Sequence, residues 1–246
     1  MKHIKNKLIK RILNICYKSK EGHLGSSLSI LDILYVLYDK VVDENNKFVL
    51  SKGHASLGLF AILEHFDILE ENLDNFCQFD SLLGGHPSNK IKSIECSTGS
   101  LGHGMPFALG IALYKKIVSE KGKVITIIGD GEANEGTIWE TALLASHHKI
   151  NNFYCIMDYN HSTDRALDIS NIKDKFSSFG WHCIEIDGHS HDDIYNAICF
   201  EHSEKPIFIL ANTIKGKGCN IMENNPEWHH KFPNDEEYEK IISELL

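Results

Sequence analysis

Four apolar runs rich in β-branched residues constrain this chain more than anything else in it. They are Val124 to Ile128, Phe153 to Met157, Cys183 to Ile186 and Ile207 to Ala211. Their apolar character is near-continuous, which reads as strands buried on both faces. Segments of helical period separate them, at about 136–149, 171–179 and 191–202. Alternating buried strands and helices make a parallel sheet covered on both sides, wound by right-handed crossovers. The expected fold is therefore α/β: an open doubly wound parallel sheet with helices on both faces. Its ligands should gather at the carboxyl ends of the strands. Upstream, the spacing predicts helices over 4–19, 30–40, 54–65, near 72–79 and over 102–119, with a short strand at Phe48-Val49-Leu50. Residues 82–87 read as a loop by their Gly and Pro content. The polar stretch 216–246 reads as a loop and a C-terminal helix at about 234–245, so that 1–246 form a single domain.

Composition removes several function classes. With 246 residues and 42% hydrophobic content the chain can bury a full core, and disorder is excluded. The formal charge of −9 opposes non-specific attraction to nucleic acid or to an anionic membrane. No apolar stretch approaches the roughly 20 residues that span a bilayer. The basic N-terminus has Ile4, Leu8, Ile9, Ile12, Leu13 and Ile15 at helical spacing, broken by Lys and Arg. That is an amphipathic first helix rather than a targeting segment. Seven dispersed cysteines without a C-x-x-C suggest reduced thiols and a cytoplasmic location.

The strongest motif begins where the run 124–128 ends: Gly129-Asp130-Gly131-Glu132-Ala133-Asn134-Glu135-Gly136. Glycines on both sides of Asp130 let backbone N–H groups approach a phosphate while the carboxylate faces a metal. Asn160 lies 30 residues after Asp130, just past the next apolar run. Adjacent parallel strands would bring the two side chains together, each giving an oxygen to one hard cation. Mg²⁺ suits such a site, because phosphate oxygens and water complete its octahedron. A G-D-G alone is a common turn; the spacing to Asn160, with a strand before each end, makes the pair specific.

Three histidines recur in one context. His23, His54 and His86 each follow a glycine at a loop or helix start, in EGHLGSS, SKGHAS and GGHP. Such a glycine permits close approach of a ligand to the backbone, and an anionic or hydroxylated ligand would want imidazole donors. Singly, each could equally be a surface or capping residue. Ser97-Thr98-Gly99-Ser100-Leu101-Gly102-His103-Gly104 opens a helix and forms a plausible anion or ring cradle. His147-His148, His229-His230 and His189-x-His191 lack zinc spacing.

With these pieces in order, the sequence resembles the N-terminal, diphosphate-binding half of transketolase, over roughly residues 20 to 233. The matching segments are EGHLGSSLSILDIL, FVLSKGHASLGLFAIL, GGHP, STGSLGHG, IIGDGEANEGTIWE, the Asn160 segment, FGWHCIEIDGH and TIKGKG. Glu135 and the Trp139-Glu140 pair set it apart from deoxyxylulose-phosphate synthase, a related enzyme whose corresponding loop lacks the glutamate. The resemblance implies a thiamin diphosphate-binding fold of the pyrophosphate type. It implies that Asp130, Asn160 and the backbone carbonyl of Ser162 bind Mg²⁺, or Ca²⁺ or Mn²⁺ in its place. Gly131 and His54 would contact the diphosphate, Gly99, Ser100 and Leu101 would line the cofactor, and Glu132 would join that cofactor-binding set. Glu135 would join a carboxylate network linking paired active sites. His23 and His86 would meet the oxygens of the sugar substrate. His229 aligns with the last family histidine, although His230 stands where the family has glycine. His103 stands where glutamine is commoner.

The resemblance also implies an incomplete enzyme. Deprotonation of the cofactor's reactive carbon needs a glutamate on the cofactor's ring nitrogen, and in the family that residue lies on a second domain. A chain of 246 residues leaves no room for it. The expectation is a split transketolase that moves a two-carbon ketol unit between sugars or sugar phosphates in carbohydrate metabolism. A separate C-terminal subunit would carry the missing domains, in a heterotetramer with two chains of each kind. An initial Met and a final helix read as a natural product rather than a truncation. The competing readings are a related thiamin lyase or synthase, and a non-catalytic module that holds the cofactor or a partner.

Overall fold

A computed structural model describes residues 2–163 and 167–245. Met1 and Leu246, the ends of the expected 1–246 domain, lie outside the described residues. In chain order the elements are α1 (Lys2–Ser19), α2 (Leu24–Ser29), α3 (Leu31–Lys40), β1 (Lys47–Leu50), α4 (Ser56–His65), α5 (Gly104–Ile117), β2 (Val124–Gly129), α6 (Gly136–His147), β3 (Phe153–Tyr159), α7 (Ile172–Ser178), β4 (His182–Asp187), α8 (His191–Cys199), β5 (Ile207–Asn212) and α9 (Asp235–Glu244). The five strands form one sheet in the order β1-β2-β3-β5-β4, and every pairing is parallel.

The near-continuous apolar runs are explained by two cores. Along β2, Ile125 and Ile127 face one core and Val124 and Ile128 the other. Along β5, Ile207 and Ile209 face the first, and Phe208 and Leu210 the second. Period-2 alternation is therefore present but hidden, because both destinations are apolar. The first core takes α1 through Ile9, Ile12 and Cys16, α3 through Ile33 and Leu37, α4 through Phe60 and Ile62, and α8 through Ile194 and Ile198. The second takes α5 through Met105, Ala108 and Ala112, α6 through Ile138 and Ala142, and α7 through Ile172 and Phe176. Thus α1 is a packed core helix, as its spacing implied. The terminal segment joins the first core through Met222, Trp228 and Ile241, and α9 starts on a reciprocal cap between Asn234 and Glu237.

Two expected elements differ. The helix near 72–79 is only a single 3-10 turn, Leu73–Asn75. Cys77 and Asp80 sit at φ 55° and 61°, a left-handed conformation that stops a helix and turns the chain. The expected 30–40 helix is preceded by a separate short helix, α2, whose residues are all buried. Its Gly25 lies under the Trp228 carbonyl, which a Cβ would meet at 2.9 Å.

Asp158, in β3, ties four segments together at the carboxyl edge of the sheet. It is fully buried, and it pairs with Lys52, which leaves β1 and is equally buried. Its Oδ2 also accepts from Ser29 Oγ of α2 at 2.7 Å and from Asn160 Nδ2 at 2.8 Å, while Oδ1 accepts from Thr213 Oγ1 beyond β5. Burial pushes its carboxyl up, but Lys52 and the hydroxyl donors outweigh this and hold it below the ordinary carboxylate range. The two partners are unequal once separated. Without Lys52 the carboxylate keeps three neutral donors; without Asp158 the ammonium keeps only the Ser26 carbonyl at 3.4 Å. Asp158→Ala should therefore cost about 3–5 kcal/mol, the usual penalty for stranding a buried charge, and Lys52→Met clearly less. Urea denaturation of both variants checks the order, and equal losses would remove the asymmetry.

Candidate active site

The parallel sheet brings the loops named by the motifs to one edge. Ser51 to His54 leave β1, Asp130 and Gly131 leave β2, Asn160 and Ser162 leave β3, and Thr213 and Lys215 leave β5. Adjacent pairing of β2 and β3 sets Gly129 opposite Asp158, so the next residues of each strand meet. Asp130 Oδ2 and Asn160 Oδ1 both accept from the Ser162 N–H, at 2.6 and 3.2 Å, and Asp130 Oδ1 accepts from Gly131 N at 2.8 Å. Both side chains are buried. Burial, then the nearby Asp158 charge, push the Asp130 carboxyl above its ordinary value. A buried carboxylate oxygen and an amide oxygen aimed at one point are the donor chemistry of a hard cation. Ser162 meets both residues through its N–H and Asn160 also through its Oγ. Among the described residues no group of three or more His, Cys, Asp or Glu side chains could hold a metal by itself.

Lys215 supplies the complementary charge. It is only 5% exposed, yet none of the ion pairs between described residues involves its amine. Its Nζ donates to Ser162 Oγ at 3.0 Å and to His229 Nδ1 at 2.8 Å. Burial, then Lys52, lower its pKa, while Asp130 and Asp158 oppose the shift. A buried cation paired with a hydroxyl and an imidazole, beside two cation-seeking oxygens, fits a diphosphate carrying a divalent metal. Gly131 packs closely on the loop after β3, where a Cβ would meet Thr163 Cγ2 at 2.6 Å.

The glycine-flanked histidines do share a site. The His23 ring centroid is 5.3 Å from His54, 5.6 Å from His229 and 4.5 Å from His230. His86 closes the group beside Gly99, where a Cβ would come within 3.3 Å of its ring. Gly99, at φ 157°, and the exposed Ser100 border this space, and Leu101 holds His103 through a 3.0 Å hydrogen bond from Nδ1 to its carbonyl. Burial pushes the His23 imidazole down to about 4, helped by His230 and His229, and the His54 imidazole down to about 2, helped by Lys52. His229 is lowered by burial and by Lys215. At neutral pH these rings are uncharged, able both to donate to and to accept from hydroxyl groups.

Glu132 and Glu135 part company. Glu132 Oε1 accepts from Ser51 Oγ at 2.5 Å and Gly102 N at 2.9 Å, and Oε2 from Gly129 N at 3.3 Å. Its oxygens accept from three separate segments of the protein, so it braces this edge of the sheet. Glu135 is exposed at the start of α6, beside Gly102, where a Cβ would meet the Glu135 Cβ at 2.7 Å. Lys52, Asp158 and Lys215 are the residues that motif reading passed over. TIKGKG and SKGH contained the two lysines, and only their burial singles them out.

The lowered imidazoles carry a sign. Below about pH 6.5 the unfolded chain takes up protons at His54 that the folded chain refuses, so stability falls with acidification. The slope for one such group reaches ~1.4 kcal/mol per pH unit. His54→Asn should flatten the loss between pH 7 and pH 5, read by urea denaturation at both values. Parallel profiles for variant and wild type would contradict this origin.

The family described as transketolase, thiamine diphosphate binding domain, matches residues 4–244. A subunit of the apulose-4-phosphate transketolase of Phocaeicola vulgatus is 33% identical, covering 96% of this chain and 90% of that protein. The 6-deoxy-6-sulfo-D-fructose transketolase subunit of a Clostridium species is 34% identical, covering 100% of this chain and 96% of that one. The crystal structure of a Campylobacter jejuni transketolase superposes with a TM-score of 0.89 at 27% identity, over 99% of this chain and 42% of that one. The chain thus spans about two fifths of the length of that solved enzyme.

Proposed function

This chain belongs to the transketolase family through its thiamine diphosphate-binding domain, and from that premise we propose that it is the N-terminal subunit of a split transketolase. The enzyme would transfer a two-carbon ketol unit from a ketose donor to an aldose acceptor. The observation that carries this reading is Lys215, a buried cation with no carboxylate partner among the described residues, set against Asp130 and Asn160 and walled by neutral imidazoles. A diphosphate with its metal satisfies all of them at once.

Bound thiamin diphosphate supplies the electron sink for the two-carbon fragment, and the chain supplies binding and orientation. Asp130 and Asn160 would give oxygens to Mg²⁺, Ca²⁺ or Mn²⁺, and the Ser162 loop would close around it. Lys215, Gly131 and His54 would hold the diphosphate. Gly99, Ser100 and Leu101 would line the cofactor. His23 and His229, uncharged at neutral pH, and His86 beside them would orient sugar hydroxyls and move protons to and from them. The sugar stays unassigned, because the two similar proteins are named for different substrates.

A partner chain completes the reading. The relatives carry the word subunit in their names, and a lone diphosphate domain lacks the glutamate needed on the cofactor ring. The outer faces of α5 and α6 expose Phe107, Tyr114, Ile117, Leu143 and Leu144. This apolar strip suits burial in an assembly of two chains of each kind. The net charge of −9 argues against nucleic acid as a partner. No helix of the described residues is long and apolar enough to cross a membrane.

Purified alone, the chain should show no ketol transfer, and activity should appear on mixing with a C-terminal subunit that supplies the missing glutamate. Turnover by this chain with no second subunit detectable by mass spectrometry would overturn the split-enzyme reading. In the assembled enzyme, thiamin diphosphate binding should require a divalent cation. Asp130→Ala should weaken it by about a hundredfold, since hydrogen bonds and contacts to charged groups contribute ~1.5–3 kcal/mol each. Calorimetry with and without EDTA measures both effects. Affinity unchanged from that of the metal-loaded wild type, in the variant or in EDTA, would remove the metal assignment.

A further inference from the structure

We propose that His189 is a positioning residue that sets the Lys215 loop, and that Asp32 fixes its tautomer. Neither residue lies among the groups that face the sugar or cofactor. His189 follows β4, at the same carboxyl edge as the site but beyond β5. Its side chain is 12% exposed and both ring nitrogens are occupied. Nδ1 lies 2.8 Å from Asp32 Oδ2, and Nε2 accepts from the Ile214 N–H at 2.9 Å. Only one tautomer satisfies both contacts: a backbone N–H can only donate, so Nε2 must be bare and Nδ1 must carry the proton.

Asp32 is built to enforce that tautomer. It is buried in α3, and its oxygens also take Lys5 Nζ of α1 at 2.5 Å and His191 Nε2 of α8 at 3.2 Å. Burial pushes its carboxyl up, but His189, Lys5 and His191 outweigh this and hold it down at about 2. An ionised carboxylate accepts only, so it selects the imidazole that donates from Nδ1. His189 is itself anchored by its N–H on Asp187 Oδ1 at 2.8 Å. Three helices thereby fix one ring, and that ring fixes one backbone amide.

The amide it fixes sits between two residues of the site. Thr213 donates to Asp158, and Lys215 reaches Ser162 Oγ and His229. The segment leaves β5 and then crosses to α2, where Gly216 N donates to the Gly25 carbonyl at 3.0 Å. Between Thr213 and Gly216, Ile214 O accepts from Lys217 N at 3.2 Å and Lys215 O from Asn224 N at 3.0 Å, and the His189 bond is the side-chain restraint on the Ile214 amide, where Lys215 leaves the sheet. Loss of His189 should let the lysine swing, lowering the share of molecules poised for the diphosphate. The link to cofactor binding rests on the proposed role of Lys215; the link to loop order does not.

The test uses the full chain and the assembled enzyme. In the full chain, nitrogen-15 spectra of imidazole-labelled wild type should show a protonated Nδ1 and a bare Nε2 for His189. Hydrogen exchange at the amides of 214–216 should quicken about tenfold or more in His189→Ala, the size expected when one buried hydrogen bond is lost, while β2 and β3 amides hold. Asp32→Asn should reproduce that loosening, and the two changes together should give less than the sum of both. In the assembled enzyme, His189→Ala should raise the half-saturating thiamin diphosphate concentration about tenfold, with kcat at saturating cofactor within about twofold. Unchanged exchange at 214–216, or a protonated Nε2 in the wild type, overturns the proposal. If His189→Ala does not fold, the wild-type spectra and Asp32→Asn decide it alone. Wild-type enzyme that binds no thiamin diphosphate would instead overturn the function proposed above and leave the loop measurement standing.

Discussion

One buried carboxylate organises the working edge of this protein. Asp158 is the point at which the loop after β1, the short helix α2, the segment after β3 and the segment after β5 are joined. Each arrives with a donor, and none could be buried there without an acceptor. A neutral residue in its place would leave Lys52 as an uncompensated cation in the core. The parallel sheet explains why such a hub is needed. All its strands end at the same edge, and the loops that leave them carry polar side chains into a region between two apolar cores.

What this hub leaves over is the site. Lys52 is neutralised by Asp158, whereas among the described residues Lys215 pairs with no carboxylate and Asp130 with no cationic side chain. Asp130 and Lys215 lie on either side of Ser162 without joining each other. In the proposed function, their separation would suit one cation-binding and one anion-binding group to a ligand that carries both charges. The imidazoles around them are held neutral by burial and by each other. Burying charged groups without an internal partner costs stability, and the cost is recovered on binding. Glu132 shows the opposite use of a buried acid, committing both oxygens to the protein to keep the loops in register.

In the proposed function, this chain would hold a metal-bound diphosphate and present neutral donors to a hydroxylated substrate. Those groups gather at one edge of a single sheet, and in the proposed enzyme a second subunit would complete the site. The exposed apolar residues of α5 and α6 lie on the outer side of the second core, where an assembly would cover them.

The fold class and most members of the site were legible in the order of residues. Apolar runs of strand length between helical periods admit little besides a doubly wound parallel sheet, because both faces of each strand must be buried. Strand-end placement and a 30-residue spacing brought Asp130 and Asn160 together on paper, and a recurring glycine context grouped His23, His54 and His86. The sheet order, the reduction of the 72–79 helix to one turn and the separate existence of α2 emerged only from the folded chain. So did the bracing role of Glu132, the contact of Ser162 with Asp130 through its N–H, and the importance of Lys52, Asp158, Lys215 and His189. The reason is physical. Periodicity and local motifs report how a residue relates to its near neighbours in the chain. Whether a lysine is paired, or which nitrogen of a histidine is bare, depends on groups tens of residues away that only burial brings within hydrogen-bonding distance.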